Sequence, residues 1–129
     1  MPGGEDLFVL EYNQKDDIMI GRVQCAKVER AEADAIYNHY VGRVHEYPDY
    51  KDFILDVLKV DGVSDSAIGV LMKGLELMKK GSSLAVLLMK EALLQDIMLR
   101  HPEMFDFYAV FHTLEDAVAY IHKRRGGGK

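Results

Sequence analysis

The chain has 129 residues and a formal net charge of −5, and 49% of its residues are apolar. This length fits one hydrophobic core, so we expect a single domain over residues 1–129. No apolar stretch approaches the roughly 20 residues of a membrane helix, no secretory signal is evident, and the acidic balance argues against nucleic-acid binding. The single cysteine, Cys25, favours a reducing compartment. We therefore expect a cytoplasmic protein without membrane insertion.

The first half of the chain predicts a hairpin, a helix and a buried strand. Apolar runs at 6–12 and 18–23 flank a polar turn and are typical of two paired strands. From Val28 to about His45 the apolar residues fall near helical spacing. Residues 53–60 are apolar nearly throughout, which is the pattern of a strand covered on both faces.

The second half alternates helices and strands. Ser64 opens a helix that we expect to end at Gly81, with an apolar stripe of Ile68, Leu71, Met72, Leu75 and Met78. The next elements are a strand at 84–89, a helix at 90–100, a strand at 105–111 and a helix capped by Thr113. The order ββαβαβαβα predicts an α/β fold with parallel strands and right-handed crossovers. We expect an ordered core over about 6–122 and a flexible tail at 124–129.

Residue patterns that would indicate catalysis or metal binding are missing from the sequence. No two of the five histidines have the spacing that places two ligands on one helix face, and no phosphate-binding glycine loop or Cys-x-x-Cys occurs. We therefore predict no enzyme activity, no metal and no cofactor. The remaining aromatic and sulfur-containing side chains are interpreted as packing residues: Tyr37, Tyr40, Tyr47 and Tyr50, and Met72, Met78, Met89 and Met98.

The segment Ser64-Asp65-Ser66 lies at the start of the predicted second helix and allows two interpretations. In the first, Ser64 is the N-cap and Asp65 complements the positive end of the helix dipole, which explains both residues but not Ser66. In the second, Ser66 accepts a phosphate in the first helical turn, with the phosphate directed away from Asp65. The spacing by itself favours capping.

The chain resembles the STAS family, which includes bacterial anti-sigma factor antagonists. The family pattern is a strand ending in Leu-Asp, then apolar residues four and seven positions later, then Asp-Ser-Ser-Gly-Leu-Gly before a helix. Leu55-Asp56, Val60 and Val63 match the first part, and 64–69 occupies the hexapeptide without a gap. Residues 111–117 are similar to the start of the family's last helix. The resemblance covers roughly residues 6–122.

The resemblance implies a STAS-like fold: a mixed sheet of about four or five strands with four helices mainly on one face. It also implies a phosphorylation-gated protein-binding module in a partner-switching pathway, with Ser66 as the phosphorylated residue and Ser64 as the second candidate. The implied partners are an anti-sigma factor or similar serine kinase and a PP2C-type phosphatase. The expected partner-binding surface consists of Ser64, Asp65, Ser66, Gly69, Val70, Lys73, Gly74 and Leu77. Of these residues, Val70, Lys73, Gly74 and Leu77 are expected to form the outward-facing stripe of the helix.

Three positions depart from the family pattern, and they favour an alternative function. Ser64 and Asp65 replace the usual Asp and Ser of the hexapeptide, and Gln24 replaces an Asp that follows Gly-Arg after the second strand. The alternative is a phosphate-independent accessory or assembly subunit, as STAS-like proteins of lipid-transport complexes are.

Overall fold

The computed structural model describes residues 7–79, 85–106 and 108–126, and within them it contains seven strands and four helices. The strands are β1 (Phe8–Asn13), β2 (Ile18–Val23), β3 (Lys27–Val28), β4 (Asp52–Asp56), β5 (Gly62–Val63), β6 (Ala85–Leu88) and β7 (Tyr108–Phe111). The helices are α1 (Arg30–Arg43), α2 (Asp65–Met78), α3 (Glu91–Arg100) and α4 (Leu114–Arg125). Three predictions concern residues outside the described ranges. They are the helix end at Gly81, the strand start at Leu84, and the loose end and first strand residue within residues 1–6.

Five strands form one mixed sheet in the order β1-β2-β4-β6-β7. The β1–β2 hairpin is antiparallel, with Phe8 opposite Val23, and every other neighbouring pair in this sheet is parallel. The predicted mixed sheet is therefore confirmed. Gly21 lies in the middle of β2, where a β-carbon would be 2.5 Å from Phe8 Cζ, so the close approach of this ring requires glycine.

Hydrophobic side chains pack on both faces of the sheet, and three of the four helices lie on one face. Phe53 and Leu55 of β4 belong to the larger cluster, which also contains buried residues of α1, α2 and α3. Ile54, between them, points to the other face and packs with Ala117 and Ile121 of α4. This alternation follows from the two-residue period of a strand and confirms the prediction of helices mainly on one face.

Tyr40 of α1 and Tyr50, which precedes β4, join the first two helices to the sheet. Tyr40 and Tyr50 are buried with their rings against Phe53, and their hydroxyls form a hydrogen bond. The Tyr50 hydroxyl donates to the carbonyl of Met78, 2.6 Å away, in the last turn of α2. Burial, followed by the contact with Tyr40, raises the pKa of Tyr50. These contacts confirm a packing role for both residues.

Helix α1 is shorter than predicted at both ends. A capping box forms between Glu29 and Glu32, in which the Glu29 N–H donates to Glu32 Oε1 at 2.8 Å, so the helix begins at Arg30. Val28 instead pairs with Val63 in a two-stranded parallel sheet, β3–β5, that the sequence pattern did not predict. His45 lies in a 3₁₀ turn after the helix.

Two strands are also shorter than predicted because the chain turns while remaining apolar. β4 ends at Asp56, whose carboxylate accepts the N–H of Leu58 at 2.9 Å, and the predicted strand to Val60 is wrong. The predicted strand from Phe105 is wrong as well, because residues 102–106 form a 3₁₀ turn and β7 begins at Tyr108. Phe105, the first residue of the predicted strand, is half-buried in that turn and packs against the core, so its hydrophobicity reflects packing and not strand structure.

Two further predictions need correction. Arg124 and Arg125 are not part of a flexible tail: they lie in α4 and pair with Asp52, which is only 5% exposed. Met98 is not a core residue, because 48% of it is exposed on α3, whereas Met78 and Met89 are buried as predicted.

Candidate functional site at the start of α2

Ser64 is the N-cap of α2. Its backbone is extended, and its Oγ accepts the N–H of Ala67 at 3.2 Å. Its own N–H donates to the carbonyl of Val28 at 3.0 Å, so β3 fixes the direction in which the chain enters the helix. The predicted capping role is confirmed, and it occupies the Ser64 hydroxyl as an acceptor.

The Asp65 side chain is held by the end of α3. Its Oδ1 contacts the Arg100 guanidinium and lies 2.9 Å from His101 Nε2. The hydrogen bond from His101, supplemented by the Arg100 guanidinium, lowers the pKa of the Asp65 carboxyl. Arg100 also donates to the carbonyl of Val63 at 2.8 Å. Neither Arg100 nor His101 could be predicted from the sequence, because no local pattern links positions about 35 residues apart.

Ser66 is exposed and faces a different neighbourhood from Asp65. Its Oγ lies 3.3 Å from Ser64 Oγ. It lines an open depression of about 290 Å³ between α1 and α2. The other residues that line this depression are Arg30, Tyr37, Gly69, Val70 and Lys73. Ser66 therefore shares a surface with two cationic side chains, while the neighbouring carboxylate is paired elsewhere.

Arg30 and Lys73 occupy exposed positions on the two helices that form the depression. Arg30 makes an exposed ion pair with Asp34 one turn along α1, at 3.3 Å. The Lys73 ammonium lies over the ring of Tyr37, 5.6 Å from its centroid. A cation above an aromatic ring is attracted by the ring's negative face, so Tyr37 holds Lys73 over the depression.

Gly74 was predicted to face outward, and this prediction is wrong. The residue is buried between α1 and α2. A β-carbon at this position would lie 3.4 Å from Tyr37 Cδ1, at the short end of ordinary van der Waals contact. Gly74 thus allows Tyr37 to pack closely against α2, which places the ring beneath Lys73. Its contribution to the surface is indirect.

The other residues of the expected binding surface are accessible to different extents. Gly69 and Lys73 are exposed, Val70 is half-buried, and Leu77 is 48% exposed. Val41 on α1 is also 48% exposed. Apart from Gly74, the predicted surface therefore consists of side chains that a partner is able to reach.

Lysine side chains also bind polar groups near the loop that leads into α2. Gln24 accepts a hydrogen bond from Lys59 at 2.6 Å. Asp61 contacts the ammonium of Lys90, and this hydrogen bond lowers the pKa of Asp61. The acidic group nearest to Ser66 in sequence, Asp65, is thus one of several carboxylates that basic side chains neutralise.

Groups that would indicate other kinds of site are not found in the described ranges. Within residues 7–79, 85–106 and 108–126, no three His, Cys, Asp or Glu side chains come close enough together to bind a metal ion. Over the same ranges, no helix is long and apolar enough to cross a membrane.

Comparison with known proteins identifies the fold. No protein-family model and no curated protein matches the sequence. A solved anti-sigma factor antagonist from Mycobacterium paratuberculosis is similar in structure, with a TM-score of 0.67 and 16% sequence identity over 94% of this chain and 99% of that chain. An uncharacterised protein from Shewanella loihica PV-4, described as having a SpoIIAA-like fold, matches with a TM-score of 0.57 and 16% identity over 88% and 90%. The chain therefore has a STAS-like fold, as the resemblance implied.

Proposed function

We propose that this chain is a cytoplasmic, phosphorylation-gated protein-binding module, and that Ser66 is the residue that carries the phosphate. The observation that carries the proposal is the position of Ser66, exposed in the first turn of α2 and lining a depression with Arg30 and Lys73. The fold likeness to an anti-sigma factor antagonist supports a regulatory role of the same kind.

The proposed modification is a phosphoryl transfer catalysed by a partner serine kinase. The Ser66 Oγ attacks the γ-phosphorus of a nucleoside triphosphate, the bond to the bridging oxygen breaks, and the nucleoside diphosphate and the hydroxyl proton leave. A PP2C-type phosphatase reverses the step with water, which restores the serine and releases inorganic phosphate. The phosphate adds about 1.5 to 2 negative charges to the surface.

The partner, an anti-sigma factor or similar kinase, docks on the exposed side of α2 in this proposal. The contact surface comprises Ser64, Asp65, Ser66, Gly69, Val70, Lys73 and Leu77. Leu77 supplies an apolar contact and Lys73 a cation, so the phosphate enters a surface that combines both. Ser64 is the second candidate for modification, and its capping bond to Ala67 disfavours it.

A second candidate function is a phosphate-independent assembly subunit. The observation that favours it is an exposed apolar pair on α3: Met98 is 48% and Leu99 is 86% exposed. Adjacent exposed apolar side chains are typical of protein-interaction surfaces, whereas a single exposed leucine would not be informative. In this case the protein binds its partners through α3, whatever the state of Ser66.

The two candidates are tested by partner capture with Ser66→Ala and Ser66→Asp. Each purified variant is used as bait in extract from the native cell, and the captured proteins are quantified by mass spectrometry, which also measures phosphate on Ser66 of the native protein. A gate predicts that Ser66→Asp retains about tenfold less kinase-like partner than Ser66→Ala.

Gln95→Asp is the charge-matched control, because Gln95 is exposed on α3 and the change adds the same charge there. It leaves capture of the kinase-like partner unchanged if the gate is at Ser66. Equal capture by both Ser66 variants, with no phosphate on the native protein, contradicts the gate and favours the assembly subunit.

A further inference from the structure

The depression beside Ser66 has the composition of a phosphate-binding site. Arg30 of α1 and Lys73 of α2 line the depression together with Ser66, the lining residue that the proposed kinase would modify. Its volume of about 290 Å³ is near the lower limit of small-molecule pockets, which begin at about 300 Å³. A phosphate monoester is a small ligand for such a space.

We propose that Arg30 and Lys73 form an intramolecular clamp that binds the phosphate of phosphorylated Ser66 within this depression. The inference rests on the proposed function, since it assumes that Ser66 is phosphorylated. The ligand is a phosphoserine dianion of the same chain. Guanidinium and ammonium groups are the side chains that proteins most often use for this anion.

Both cations are free to respond to a phosphate. Arg30 has an exposed bond to Asp34, and an exposed ion pair of this kind contributes little to stability, so Arg30 is able to turn from a single carboxylate to a phosphate. Lys73 is positioned by the uncharged Tyr37 ring, so binding a phosphate would not break an ion pair of Lys73 with this residue. Neither cation needs to leave a buried partner.

The negative charge nearest to Ser66 in the chain does not compete for the clamp. Asp65 is bound by Arg100 and His101 at the end of α3, so its carboxylate is directed to a different group of cations. Asp65 is therefore compatible with a phosphate on the next residue. The carboxylate is bound by Arg100 and His101, whereas the phosphate would be bound by Arg30 and Lys73.

The clamp changes what phosphorylation does to a partner. In the unmodified protein, Arg30 and Lys73 form a cationic surface that is complementary to acidic groups. Once the phosphate is bound, its charge of about −1.5 to −2 nearly cancels the two positive charges. A partner that contacts these cations through carboxylates loses its attraction without any change in the fold.

The experiment measures how strongly the cations stabilise the dianion. Phosphoserine is installed at position 66 during translation, and the ³¹P chemical shift of the intact protein is followed from pH 4 to pH 9. We expect the second phosphate pKa to be lower in this protein than in Arg30→Gln/Lys73→Gln by at least about half a pH unit, because nearby positive charge favours the dianion. Each single variant should show part of the difference.

Lys15→Gln/Lys123→Gln is the control, since it removes the same net charge at exposed positions on the hairpin turn and on α4. His101, which contacts Asp65, is present in every protein compared, so its contribution cancels. If the clamp is correct, the control leaves the phosphate pKa unchanged. Equal pKa values in the two double variants would overturn it.

The outcome is separable from that of the proposed function. If Ser66→Asp weakens partner capture but the phosphate pKa does not depend on Arg30 and Lys73, the gate stands and the clamp is wrong. If the pKa depends on them but partner capture is insensitive to Ser66, the clamp is correct and the gate is wrong. Circular dichroism of each variant verifies that the fold is unchanged.

Discussion

At the scale of single residues, the start of α2 separates two adjacent polar side chains into different environments. The sequence places Asp65 and Ser66 together, which suggests repulsion between a carboxylate and a phosphate. The structure directs Asp65 to the end of α3 and leaves Ser66 beside Arg30 and Lys73. The surroundings of these two side chains are therefore set by Arg30, Arg100 and His101, which are distant in sequence, and by Lys73 of α2 itself.

The pairing of Asp65 predicts how it titrates. Its pKa is lowered chiefly by His101, so its contribution to stability is complete above the unfolded value, near 3.8, and is lost as the pH falls through the folded value. We expect the Asp65 carboxyl ¹³C shift to have its midpoint below 3.8. His101→Ala should raise this midpoint, and His122→Ala, which removes a histidine paired with Asp16, should not. A midpoint at or above 3.8 in the unmodified protein contradicts this pairing.

At the scale of secondary structure elements, the sequence predicted caps more accurately than strand ends. Ser64 and Thr113 cap α2 and α4 through their side-chain oxygens, as expected from residue type and position. The end of β4 at Asp56 and the start of β7 at Tyr108 were placed wrongly, because Val57, Val60 and Phe105 pack against the core from outside the strands. Hydrophobicity reports burial, and a short apolar turn has the same pattern as a buried strand.

The last helix is attached to the sheet by charge as well as by packing. Asp52, at the start of β4, is buried and binds the guanidinium groups of Arg124 and Arg125. The Arg125 side chain also donates to the carbonyl of Asp17 at 3.1 Å. Both arginines were predicted to lie in a flexible tail, because no local pattern links them to a partner more than 70 residues away.

Removing the two arginines should destabilise the fold more than removing the charge of Asp52. Arg124→Gln/Arg125→Gln leaves the buried Asp52 carboxylate without either guanidinium, and we expect it to lower the free energy of unfolding by about 3 kcal/mol. Asp52→Asn leaves arginines that still reach water, and we expect a loss of about 1 to 2 kcal/mol. Urea denaturation measures both. Lys123→Gln, at an exposed neighbouring position, is the control, and equal costs for the two sides would contradict the explanation.

At the scale of the whole molecule, the element order predicted the parallel half of the sheet, but the side of the sheet on which each helix packs came only from the structure. The alternation of helices and strands implies right-handed crossovers. It does not imply that α4 packs on the face opposite α1, α2 and α3. The β3–β5 pair was missed as well, because two-residue strands leave no periodic signal.

The two hydrophobic clusters share the central strands, so the molecule should unfold as one unit. Phe53 and Leu55 contribute to one cluster and Ile54 to the other, from consecutive positions of β4. Ile121 is fully buried in the smaller cluster, and Ile121→Ala should lower the free energy of unfolding by about 2 to 5 kcal/mol. Because the strand is common to both, native-state hydrogen exchange should show the same loss of protection at the Leu55 amide as in α4. The half-buried Val118 provides a milder control, Val118→Ala. If protection fell in α4 alone while Leu55 kept its original value, α4 would be a separate unit that unfolds without the sheet.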